Sequence, residues 1–263
     1  MTFDVAADAY DRFMGRYSRS LAPQMADLAR LRAGQRALDV GCGPGALTSE
    51  LVRRLGADAV VAADPSEPFV QAARERHPGV EVALAGAEDL PFDDGGFDVA
   101  LAQLVVHFMS DPVAGLAEMR RVTRDGGIVT ACVWDHAGGK APLSPFWRAV
   151  AQLDPAASDE SDLPGAREGH LAALFESAGL DDVEDDALWI SVEHASFEEW
   201  WEPYTLGVGP AGALAAGLDP ERRARLRELC REMLPEPPFV LTAAAWAARG
   251  HVSGPARAIR TDP

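Results

Sequence analysis

The sequence predicts an α/β fold built on a doubly wound, largely parallel sheet, and three observations point that way. Strand-length apolar runs alternate with helical patterns through the first half of the chain, as expected when helices cover both faces of a parallel sheet. The stretch Asp39-Val40-Gly41-Cys42-Gly43-Pro44-Gly45 sets three glycines on alternate positions where strand-like sequence gives way to helix-like sequence. With 263 residues, 48% of them hydrophobic, the chain can core one large α/β domain or a domain with a sizeable insertion.

In chain order, residues Ala6–Leu31 read as one or two helices carrying Tyr10, Phe13, Met14 and Tyr17. Strands are expected at Ala37–Gly41, Ala59–Asp64, Val80–Gly86, Phe97–Ala102 and Gly127–Trp134. Helices are expected between them at Ala46–Leu55, Pro68–Glu75 and Val113–Val122. Asp93-Asp94-Gly95-Gly96 and Gly126-Gly127 supply the turns before the fourth and fifth strands. Asp135–Gly169 then reads as a long, mobile connection with a short helix around Phe146–Leu153, and its acidic run Ser158–Asp162 as a solvated loop. Gly169–Ala178 looks helical, and Val183–His194 and Pro238–Arg249 look strand-like. Between those two strands come a helical face at Phe197–Tyr204, a Gly/Ala-rich stretch from Gly207 to Gly217, and an amphipathic helix at Asp219–Leu234. Asp219 is its N-cap and Pro220 its first position. The polar tail Gly254–Pro263 is expected to fray.

A net charge of −17 and an isoelectric point near 4.7 disfavour an electrostatic grip on nucleic acid or an anionic membrane. Cys42, Cys132 and Cys230 are too few and too widely spaced for a disulfide framework or a zinc site, which fits a reducing cytosol. The residues Met1-Thr2-Phe3-Asp4 lack the basic and apolar regions of a signal peptide, and no apolar run approaches ~20 residues. A cytoplasmic protein is the expectation.

The glycine turn carries the chemistry. Glycine permits a tight turn and lets a ligand touch the backbone where a Cβ would stand in the way. Its spacing is Gly-x-Gly-x-Gly, not the Gly-x-Gly-x-x-Gly of the dinucleotide fingerprint. Asp39 just before it would repel a pyrophosphate and attract a cation, so a positively charged nucleoside is the better fit. Asp64, at the end of the second expected strand, sits where a carboxylate can accept from a ribose diol. Gly86-Ala87-Glu88-Asp89-Leu90-Pro91-Phe92 follows the third strand, placing an amide and a carboxylate where an adenine edge would lie.

This ordered set resembles the class I S-adenosylmethionine-dependent methyltransferases, in particular their small-molecule branch. The matching pieces are Asp39–Gly45, Asp64, Ala87–Phe92, Phe97-Asp98 with Gln103 to His107, and Arg120-Arg121-Val122 through Gly126-Gly127. They span roughly residues 35 to 135. The resemblance implies a Rossmann-like, seven-stranded methyltransferase sheet with its last strand antiparallel and with helical lid insertions. Residues 1–34 would be cofactor-covering helices. Residues 35–263 would form the methyltransferase domain, with lid and acceptor insertions near 135–170 and 196–236.

Carried over residue by residue, the resemblance puts Gly41, Cys42 and Gly43 against the methionine and ribose of S-adenosyl-L-methionine. Asp39 would favour the cationic end, Asp64 the ribose hydroxyls, Ala87 and Glu88 the adenine, and the Gln103 carbonyl the methionine ammonium. Tyr10 would cover the cofactor. The helix after Gly45 would favour the methionine carboxylate through its N-terminal dipole. Each has a structural alternative: Asp39 satisfying strand-end amides, Asp64 capping the helix that starts at Pro65-Ser66-Glu67, Glu88 and Asp89 as turn carboxylates, Tyr10 as core. Cys42 reads as a small packing residue and not a nucleophile, since nothing nearby would activate it.

Methyl transfer from a sulfonium needs orientation above all, and a base only where the acceptor must lose a proton. His107, just past the fourth strand, is the candidate base, against a structural histidine facing its helix. His136, after the fifth strand, is a second candidate base or substrate-facing group, against a loop residue. Tyr17, Phe146, Trp147, Trp200, Trp201 and Tyr204 are the candidates for a planar or apolar small-molecule acceptor, against rings that glue short helices to the sheet. Arg16 is weighed as a carboxylate ligand or a solvated side chain. The carboxylates near Asp159 have no histidine close by in sequence, so no metal is expected. No nucleic acid or membrane partner is expected either, and the chain would act as a monomer or homodimer. Three other readings stay open: a cofactor-binding relative that catalyses cyclisation or rearrangement, a protein methyltransferase, for which the sequence shows no peptide-groove signature, and a catalytically silent cofactor-binding subunit.

Overall fold

In the computed structural model, which describes residues 7–253, seven strands form a single sheet. They are β1 (Ala37–Val40), β2 (Val60–Asp64), β3 (Glu81–Leu84), β4 (Phe97–Gln103), β5 (Thr123–Trp134), β6 (Asp181–His194) and β7 (Phe239–His251). Their order is β3-β2-β1-β4-β5-β7-β6, and β7 alone runs antiparallel to its neighbours, β5 and β6. The expected strands all form, with ends shifted by a few residues. β5 starts four residues early, because Thr123 pairs with Phe97 before a register shift. The order reverses beside β1, whose neighbours are β2 and β4, and the carboxyl ends of all three strands meet there.

Ten α-helices flank the sheet: α1 (Ala7–Tyr10), α2 (Arg16–Leu28), α3 (Ala46–Leu55), α4 (Glu67–Arg76), α5 (Pro112–Val122), α6 (Ser144–Leu153), α7 (His170–Ser177), α8 (Phe197–Trp201), α9 (Gly209–Gly217) and α10 (Pro220–Met233). Their starts follow local chemistry. Asp111, Ser196 and Asp219 each accept the backbone N–H three residues on, and Pro112 and Pro220 stand at the first helical position. The N-terminal segment is one helical run with a π turn, Asp11–Gly15, between α1 and α2. Such turns bulge a helix outward, and this one buries Phe13 and Met14. The start at Ala6 and the tail from Gly254 lie outside the described residues.

The core is divided by the sheet. On one face Leu21 and Met25 of α2 and Leu51 of α3 are wholly buried with Trp134 and the inner rings of α6 and α8. On the other, Leu116 and Met119 of α5 meet Leu171 and Phe175 of α7. Each such side chain contributes about 1.5–3 kcal/mol by leaving water. Among the described residues, no helix is long and apolar enough to cross a membrane.

The insertions after β5 and β6 fold together into a lid in which α6 packs on α10. A 3-10 turn at Glu202–Leu206 carries Tyr204, whose ring stacks on Phe146 at 4.5 Å and lies 4.8 Å from Trp200. One expectation is corrected here. The acidic run does not behave throughout as a solvated loop: Glu160 is 4% exposed and accepts the Trp147 Nε1–H at 2.7 Å. An unpartnered carboxyl could not be buried at tolerable cost, and the indole supplies the partner.

Candidate active site

The turn from β1 into α3 makes the floor of a cavity of about 280 Å³ across the carboxyl ends of β1, β2 and β4. Gly41 and Gly43 hold left-handed φ angles of 68° and 53°. A Cβ on Gly41 would fall 2.5 Å from both Val105 methyls, whereas one on Gly43 would meet nothing. The first glycine is therefore needed for close packing, and the second leaves bare backbone. Asp64 braces the turn: its Oδ2 accepts the Gly43 N–H and its Oδ1 the Ser66 N–H, each at 2.8 Å. Ser66 is the N-cap of α4, so Asp64 organises the start of that helix as well as facing the cavity. Each of its oxygens keeps a lone pair for a hydroxyl.

Asp39 is 1% exposed. Its Oδ2 accepts the Thr48 hydroxyl at 2.6 Å, and its Oδ1 has no partner. Burial pushes its pKa up to about 7, and burial likewise lifts Asp64 to about 6. Both shifts reflect negative charge held away from water without a cation. The Gln103 amide donates to the Ser18 carbonyl at 3.0 Å, tying the end of β4 to α2. Glu88 is half-buried and accepts the Ser110 N–H at 2.7 Å, so it also braces the approach to α5. Burial drives the Cys42 thiol well above its ordinary range. Tyr10, Asp39, Gly41, Cys42, Gly43, Asp64, Ala87, Glu88 and Gln103 all line this one cavity.

A second, smaller chamber of about 40 Å³ adjoins it and shares Tyr10, Leu104 and Phe108 with it. Leu104 has φ 62°, a left-handed conformation costing a non-glycine residue about 1–3 kcal/mol. The Leu104 N–H donates to the Cys132 carbonyl at 2.9 Å, which helps hold it there. His107 and His136 both reach the second chamber, with ring centres 6.0 Å apart. Burial, then the neighbouring His136, keeps His107 neutral well below its usual range. Burial lowers His136 to about 4, opposed by Asp159 and Asp135.

Sequence reasoning missed Glu160, whose side chain is 5% exposed in this chamber, with Oε2 4.0 Å from His136 Nδ1. Burial raises its pKa to about 7. The only sequence signal was an acidic residue after a Trp-bearing helix. The aromatic candidates separate. Trp147 reaches the site only through Glu160. Trp200, Trp201 and Tyr204 pack on one another and on Phe197 outside the chamber lining, as the gluing alternative describes. Tyr17 turns away to His194, 3.0 Å from its Nε2. Arg16 donates to His194 Nδ1 and to Glu199, and so is neither free for a ligand carboxylate nor merely solvated. With Nδ1 accepting from arginine, His194 Nε2–H must donate to the Tyr17 oxygen.

A strand-end glycine turn with a carboxylate on each of two strands, in a sheet of this order, defines a Rossmann-like α/β fold. Residues 38–131 match the methyltransferase-domain family. An uncharacterised methyltransferase of Mycobacterium tuberculosis is 37% identical over 135 residues, 51% of this chain and 52% of that protein. The malonyl-[acyl-carrier protein] O-methyltransferase of Salmonella typhimurium is 37% identical over 153 residues, 55% of this chain and 59% of that protein. This chain thus spans little more than half the length of these relatives. Among solved structures, the [4+2]-cyclase SpnF is similar in fold, with a TM-score of 0.54 and 19% identity over 90% of this chain and 82% of that one. Residues 38–131 thus carry a domain of the methyltransferase family.

Proposed function

We propose that this protein transfers the methyl group of S-adenosyl-L-methionine to a small-molecule acceptor held in the second chamber. The observation that carries the reading is the meeting of two cavities at Tyr10, Leu104 and Phe108, one lined by the glycine turn with Asp39 and Asp64 and the other mostly apolar. The first cavity fits the cofactor on its own chemistry. A buried carboxylate oxygen of Asp39 lacks a partner and suits a cationic group, and the Gly43 backbone is bare on its open side. Asp39 would face the charged methionine end with the Gln103 carbonyl, Asp64 the ribose diol, and Ala87 and Glu88 the adenine. When bound, the cofactor supplies a sulfonium-activated methyl group.

The chain's own part is orientation. Tyr10, Leu104 and Phe108 frame the passage between the cavities, so an acceptor in the chamber has one direction of approach. Restricting approach in this way can supply much of the acceleration of a displacement. The acceptor of the Salmonella relative does not carry over, because the match leaves much of each chain unaligned.

The test is incubation of the purified protein with methyl-labelled S-adenosylmethionine and a metabolite panel. Label should appear in a small molecule together with S-adenosylhomocysteine. Tight cofactor binding with neither label transfer nor S-adenosylhomocysteine product would favour a cyclase-like or silent protein.

A further inference from the structure

The second chamber combines an apolar wall with three buried titratable side chains on three separate segments. His107 follows β4, His136 follows β5, and Glu160 comes from the lid insertion. Its described lining contains no lysine or arginine. An anionic acceptor would therefore lose its hydration without gaining a counter-charge. The two histidines differ in their surroundings. His107 Nδ1 has no partner, and its nearest titratable neighbour is the other imidazole. His136 has Glu160 Oε2 at 4.0 Å from Nδ1, while its Nε2 is buried and unpartnered. That separation is ion-pair distance, too long for a hydrogen bond. The Trp147 Nε1–H, at 2.7 Å, holds the same oxygen in place.

We propose that Glu160 is the positioning residue that places the proton on His136 Nδ1, leaving Nε2 as the proton acceptor of a chamber built for compact, uncharged phenolic or enolic hydroxyls. The inference rests on the methyltransferase reading and goes beyond it by naming the acceptor class and the base. Charge and atoms balance in one step. The hydroxyl proton passes to His136 Nε2 while an oxygen electron pair forms the new bond to the methyl carbon. The carbon–sulfur pair stays with the departing thioether, and the Glu160 carboxylate balances the imidazolium. Burial lowers the basicity of the His136 ring, and Asp159 and Asp135 oppose that lowering, an opposition His107 lacks.

The full chain, saturated with S-adenosylhomocysteine and labelled with 15N-histidine, tests this by NMR at pH 8, where Glu160 carries its charge. The expected spectrum has His136 as the Nδ1–H tautomer, and Glu160→Gln should lose that bias. Phenol should shift the Nε2 resonance, whereas anisole and benzoate should not. A Nε2–H tautomer in the unmodified protein would overturn the proposal, even if Glu160→Gln failed to fold. So would an unchanged tautomer in Glu160→Gln, or anisole acting as phenol does. Failure of S-adenosylhomocysteine to bind in a parallel calorimetric titration would instead strike the underlying methyltransferase reading.

Discussion

At the scale of single residues, Asp39 concentrates the electrostatics of the cofactor cavity. Its carboxyl is buried with one oxygen unpartnered, and its pKa stands at about 7 against an ordinary 3.8. Because the folded-state value is the higher one, its contribution to stability is fully present below pH 3.8 and is lost as pH rises through about 7. A ligand cation beside it reverses that preference by favouring the carboxylate. Binding of S-adenosylmethionine at pH 7 should therefore release a fraction of a proton. The calorimetric heat should then vary with the ionisation enthalpy of the buffer. Asp39→Asn should remove most of that variation and weaken binding by about 1–3 kcal/mol. Equal heats across buffers in the unmodified protein would show that Asp39 does not feel the ligand. The placement of Asp39 and Asp64 at one cavity was legible in the sequence because a strand end and a glycine turn fix where their side chains emerge. Glu160 was not legible. Its two partners, Trp147 and His136, lie 13 and 24 positions away on different segments, and only the folded lid brings them together.

At the scale of elements, the sheet and its helices followed from local pattern, while the lid did not. Alternation of apolar runs with helical periods is a short-range signal, and it located β1, β2 and β4 closely. The Asp135–Gly169 connection has many prolines and acids, which read as solvated chain until α10 is known to pack on α6. The rings of Trp200, Trp201 and Tyr204 looked equally suited to a ligand or to packing, since composition cannot say which way a ring faces. In the fold they join α8 and the Glu202–Leu206 turn to Phe146 of α6. Tyr204→Ala should therefore act on stability, lowering it by about 3–5 kcal/mol in urea denaturation as a large buried ring is lost. Affinity for S-adenosylhomocysteine, measured well below the new midpoint, should stay within about twofold, because Tyr204 does not line the cofactor cavity. A stable Tyr204→Ala protein with altered cofactor affinity would mean that the ring works at the site itself.

At the scale of the whole molecule, one sheet positions two cavities. The reversal of strand order beside β1 opens the cofactor cavity at the carboxyl ends of the strands. The antiparallel β7 seats β6 at the sheet edge, from which the lid insertion returns over the same end. Arg16 and Tyr17 of α2 bond to Glu199 and His194, tying the N-terminal helix to that lid. The central claim is that this frame holds S-adenosylmethionine at the Asp39–Gly45 turn. Calorimetric titration with S-adenosylmethionine, S-adenosylhomocysteine and NAD tests it most directly. The two sulfur nucleosides should bind at a single site that Asp64→Ala weakens, and NAD should give no heat of binding. Preferential binding of NAD, or sulfur-nucleoside affinity unchanged in Asp64→Ala, would contradict it.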